Sequence, residues 1–157
     1  GVLLKKQQFH PQRELEFDDL FLNLKPGCAT PTMMMRTDIV RKVGGYDSQL
    51  KVEDVYIQLK ICEAGYKIIS INDICSYYRI HDNNMHKDYR FMIENVLQTF
   101  AHFKDRKNYQ LAVNKFLESM FLKVARKDKK LAWEIFTRIQ PKKFSSKLFR
   151  GLIKMAF

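Results

Sequence analysis

Apolar residues along this chain fall into two kinds of pattern, and the change between them comes near residue 87. From about Asp88 onward the spacing is helical throughout. Phe91, Ile93, Val96, Leu97, Phe100 and Phe103 make one stripe, and Val113, Phe116, Leu117, Met120 and Val124 a second. Ala132, Ile135, Phe136 and Ile139 make a third, which Pro141 ends. SSKLFRGLIKMAF then offers Ser145 as a cap for a last helix. On it Leu148, Phe149, Leu152 and Ile153 oppose Lys147, Arg150 and Lys154.

The first half is more broken. Glu14 to Leu24 has helical spacing, and two prolines and a glycine in KPGCATPT make a loop after it. A short strand is expected through Met33–Met35, then a brief helix opened by Thr37 or Asp38, then a turn at Gly44–Gly45 where positive φ is needed. Val55, Leu59 and Cys62 share one face of a further helix that Gly65 ends. Extended segments are expected at Tyr66–Ile71 and Cys75–His81, with a turn at Asn72–Asp73. The pattern divides the chain into residues 1–87, of mixed α and β character, and an all-helical extension, residues 88–157.

With 46% hydrophobic residues in 157, the chain can bury a real core, which excludes a disordered segment. No apolar run reaches the roughly 20 residues of a membrane span, and GVLLKKQQF lacks a signal peptide's apolar segment. Three cysteines, Cys28, Cys62 and Cys75, with no CxxC spacing argue against a disulfide framework or a zinc site, so a cytoplasmic setting is expected. The net charge of +11 lies wholly in residues 104–157, which hold 15 Lys/Arg against 4 Asp/Glu, whereas residues 1–103 balance at 13 and 13. That end of the molecule is suited to anions: an anionic membrane surface, a nucleic acid, or simply water around a basic helical face.

The first candidate for chemistry is the adjacent pair Glu53 and Asp54 where the Val55–Cys62 helix begins. Acids are favoured there by the unpaired N–H groups and the helix dipole, and a carboxylate at a helix mouth is also well placed to act as a base. The neighbouring motifs favour the second role. In order, the chain gives a small-residue loop and strand ending at Arg36, RKVGGYD at Arg41–Asp47, VED at Val52–Asp54, AGYKI at Ala64–Ile68, and YRIH at Tyr78–His81 followed by Asn83–Asn84. The series, over residues 27–86, resembles the second half of the catalytic domain of family 2 inverting glycosyltransferases. The basic helices resemble the variable C-terminal extension of bacterial members that build surface polysaccharides.

The resemblance implies an α/β fold, the acceptor-side half of a GT-A nucleotide-diphospho-sugar transferase. It implies transfer of a sugar with inversion from a nucleotide-sugar donor to a saccharide or lipid-linked acceptor. Asp54 matches the family's base, with Glu53 positioning the acceptor or the loop. Arg79 and His81, two residues apart on one face of an extended segment, would meet the donor diphosphate, His81 also as a metal ligand. Their plainer readings are a surface arginine and a histidine bonded to nearby backbone. Gly44, Gly45, Tyr46 and Asp47 read as architecture, a turn before the catalytic loop, with acceptor contact by Tyr46 or Asp47 as the alternative; Trp133 reads as packing, and His10 and His86 as surface residues.

The family's D-x-D motif, whose carboxylates hold Mg²⁺ or Mn²⁺ on the diphosphate, is absent; Glu16-Phe17-Asp18 is a near miss. The chain therefore reads as a piece lacking the donor-binding half, inactive alone, and with open strand edges that favour homo-oligomers. Q-x-x-R-W is also absent, which points to single addition rather than processive synthesis. Two other readings compete. One is a basic nucleic-acid-binding module, which no helix-turn-helix, RRM or zinc pattern supports. The other is a helical interaction domain in which the acidic pair only caps a helix.

Overall fold

The computed structural model describes residues 11–74, 76–77, 87–140 and 145–156. Strand β1 (Arg13–Leu15) leads into helix α1 (Phe17–Phe21), and a loop with one 3-10 turn (Thr30–Thr32) leads to α2 (Thr37–Lys42) and α3 (Glu53–Glu63). Strand β2 (Ile68–Ser70) follows, and then α4 (Tyr89–Ala101), α5 (Tyr109–Val124), α6 (Lys129–Arg138) and α7 (Ser146–Ala156).

Helices make up 58% of the described residues and strands 5%. This overturns the expected α/β fold, the GT-A half-domain. The described strands form one antiparallel two-stranded sheet, β1 on β2, with Arg13 opposite Ser70 and Leu15 opposite Ile68. A doubly wound fold needs parallel neighbours joined by crossovers, and none is present among the described residues. Met33 is extended but pairs with no strand among the described residues, and Met34 is fully exposed. Ser76 and Tyr77 are likewise outside any strand, while Cys75 and residues 78–81 of that expected strand lie outside the described residues.

The expected helix over Glu14–Leu24 is also shorter than its periodicity suggests. Glu14 and Leu15 pair with β2, and the helix begins only at Phe17, where the Asp19 carboxylate accepts the Glu16 N–H at 3.1 Å. The glycine expectations hold: Gly44, Gly45 and Gly65 have φ of +92°, +72° and +86°.

Two buried clusters organise the molecule. Helices α4 to α7 enclose one, with Phe121, Leu117, Val124, Ile135 and Leu148 at its centre. The other joins both parts of the chain: Phe21, Val52 and Leu59 meet Val96, Phe100 and Phe103. Rings chain through it, Phe21 to Phe100 at 4.9 Å and Phe17 to Phe103 at 5.4 Å between centroids. Helix α4 thus presents Ile93 to one cluster and Phe100 to the other. Arg106 adds a polar tie, donating to Glu63 Oε1 at 3.0 Å and lying over the Phe17 ring. Burial pushes the Glu63 carboxyl up, but its bonds to Lys60 and Arg106 outweigh this and hold it below its ordinary value.

Capping explains where α4, α6 and α7 start. The carboxylates of Asp88 and Asp128 accept the N–H groups of Phe91 and Leu131, each at 2.9 Å, and Ser145 Oγ accepts that of Leu148 at 3.2 Å. Trp133, expected as packing, is 56% exposed and stacks on Phe136.

Candidate functional site

Helix α3 opens on Val52, whose side chain does not cap it, so the first turn is served by Asp54 and by its own backbone. Asp54 Oδ1 accepts the Val55 N–H at 2.8 Å, and Oδ2 accepts the Thr30 hydroxyl at 3.0 Å. Each oxygen keeps a further lone pair for another donor. The carboxylate is fixed from the helix side and from the loop side.

One turn along the helix, buried Gln58 fixes that loop. Its Oε1 accepts the Cys28 N–H and its Nε2 donates to the Cys28 carbonyl, both at 2.9 Å, with a further bond to the Asp54 carbonyl. Gly27 makes the close approach possible, since a Cβ there would lie 3.0 Å from Gln58 Oε1 and 3.2 Å from Leu20 Cδ2. Neither Thr30 nor Gln58 stands out as a motif. Gln58 does carry one readable signal: it falls on the Val55–Leu59–Cys62 stripe, a polar residue at a core-facing position.

Beside the fixed loop is a cavity of about 290 Å³, lined by Gly27, Cys28, Asp54 and Gln58, with Phe100 and Phe116 on its apolar side and Lys25 and Lys123 among its polar residues. It lies at the lower end of the range for small-molecule sites, roughly 300–1,000 Å³. The thiols do not offer a nucleophile. Burial raises the Cys28 pKa, and burial, then the charges of Asp19 and Glu16, pushes Cys62 up to about 11, so both stay protonated near neutral pH.

The other expected site residues are not gathered at this cavity. Glu53 is half-buried, does not line it, and makes no hydrogen bond or ion pair among the described residues. Tyr46 is 47% exposed, and Asp47 Oδ1 accepts the Gln49 N–H at 2.9 Å, closing a turn; neither lines the cavity. Arg79 and His81, expected at the diphosphate and metal, lie outside the described residues, as do His10 and His86. Among the described residues no group of three or more His, Cys, Asp or Glu side chains is placed to hold a metal ion, and no helix is long and apolar enough to cross a membrane. Comparison with known proteins adds no relative: no family profile, curated protein or solved structure matches the chain.

Proposed function

We propose that this chain supplies the acceptor side of an inverting sugar transfer, with Asp54 as the base. The architecture lends the reading no support; it rests on the ordered motif series, and the observation that carries it is the placement of Asp54. Its carboxylate lines a cavity of small-molecule size and is held by Thr30 and the Val55 N–H. Such a group takes the proton from an acceptor hydroxyl as the oxygen bonds to the anomeric carbon and the bond from that carbon to the diphosphate breaks. Fixing both carboxylate oxygens reduces the reorientation needed at that moment.

On this reading the nucleotide sugar, with Mg²⁺ or Mn²⁺, is bound outside these 157 residues, which contain no D-x-D. The 157 residues alone then give no heat when titrated with UDP-sugars and Mn²⁺, and no turnover. In the transferase that carries the chain, Asp54→Asn keeps the size of the side chain and removes the base. Turnover is expected to fall on the order of 10²–10⁴-fold, with the melting temperature and donor affinity nearly unchanged. Near-normal transfer by that variant would overturn the assignment.

A further inference from the structure

The sequence pattern of α7 suggests one apolar face against one basic face. The packing divides it differently. Leu148 and Gly151 are buried, and Leu152 and Met155 pack at the edge of the helical core. Gly151 sits so close to α5 that a Cβ on it would lie 2.3 Å from the Phe121 ring. The inward face is therefore fully used by the protein. Phe149 and Ile153, four residues apart, are left outward at 62% and 45% exposure. Arg150, Lys154 and Lys147 continue the same outward surface, separated by three and four positions, and are exposed. The helix contains no acidic residue, and these three cations make no ion pair among the described residues.

We propose that this outward surface of α7 binds the face of an anionic lipid bilayer. An apolar strip beside a basic strip on one exposed side of a helix is the arrangement that lies in a membrane interface, with the ring and branched chain among the upper acyl carbons and the cations at the headgroups. Charge complementarity selects anionic lipid: +11 net, with every excess cation in residues 104–157. A nucleic acid would satisfy the cations, but it would leave the aliphatic side chain of Ile153 without a use. Because Leu148 and Gly151 hold α7 on α5, the contact is peripheral and shallow and does not require the helix to leave the core. The inference is independent of the role given to Asp54.

The test is flotation of the whole chain with vesicles of phosphatidylcholine alone and of phosphatidylcholine mixed with phosphatidylglycerol, at low salt and at about 1 M salt, where the Debye length falls to roughly 3 Å. Binding is expected to the mixed vesicles at low salt, little to the neutral ones, and much less at high salt. Each cation engaged strengthens binding about fivefold, so Lys147→Gln/Arg150→Gln/Lys154→Gln should weaken it on the order of 10²-fold. Phe149→Ser/Ile153→Ser should weaken it at least about tenfold, with an unchanged melting temperature because both side chains are exposed. Equal partition into both vesicle types, no partition into either, or full binding by either variant would overturn the proposal. So would tighter binding to a short duplex nucleic acid that is indifferent to Phe149→Ser/Ile153→Ser.

Discussion

The part of the chain before α4 and the part from α4 onward fold on different terms. In the later part α4, α6 and α7 are capped by side chains, each helix buries a stripe against others, and Phe121, Leu117 and Leu148 are almost wholly enclosed. In the earlier part every element but α3 is short, the sheet has two three-residue strands, and Met34, Ile69, Ile71, Ile74 and Tyr77 stand exposed. A helix closes its own hydrogen bonds and needs only an apolar stripe to be anchored, whereas a strand is half-made until a neighbour pairs with it. Even so, both parts use the same device to seat a loop. Gln58 clamps the Cys28 peptide, and Asn114 clamps Gln140, donating to its carbonyl at 2.7 Å and accepting its N–H at 3.1 Å. The difference lies in what surrounds the clamp rather than in the clamp itself.

The contrast can be broken experimentally, most severely at Phe121. Truncation of this enclosed ring, Phe121→Ala, should cost about 3–5 kcal/mol in urea unfolding. Because the Phe100–Phe103 cluster joins the two parts, the loss should appear as one cooperative transition; two separate transitions would show that the earlier part folds on its own. Gln58→Leu keeps the bulk but leaves the Cys28 N–H and carbonyl unpaired. A loss of about 2–4 kcal/mol is expected, with faster hydrogen exchange in the loop over residues 25–32, and an unchanged exchange rate would mean that the loop is held by other contacts.

Gly151→Ala opposes two effects. Replacing a mid-helix glycine gains about 1 kcal/mol in propensity, but the new methyl meets the Phe121 ring, and overpacking of this kind costs about 1–3 kcal/mol. The enclosed ring has little room to move, so a net loss of about 1–2 kcal/mol is expected; stabilisation would show that α7 is loosely seated. The smallest effect belongs to Ile69→Thr/Ile71→Thr. With both side chains more than half exposed, stability should change by less than about 0.5 kcal/mol, while any self-association seen by sedimentation at high concentration should fall. A loss comparable to that of Phe121→Ala would mean that these residues are packed in solution.

The periodicity of Phe91–Phe103, Val113–Val124 and Ala132–Ile139 was enough to locate α4, α5 and α6, and glycine chemistry was enough to place the turns at Gly44–Gly45 and Gly65. Asp54 was legible as a first-turn acid. These features are local, decided by 3.6-residue spacing and by the one residue type that accepts positive φ without strain. Pairing was not legible. Met33–Met35 is an apolar run that reads as a short strand yet finds no neighbour among the described residues, and Glu14–Leu15 fits a helical stripe yet pairs with Ile68–Ile69. Nor could spacing show that Thr30 and Gln58 would meet Asp54 and Cys28 from across the loop, or that α7 would bury Leu148 and turn Phe149 outward. Each of these depends on which surfaces, distant in sequence, come into contact, and only the tertiary structure decides that.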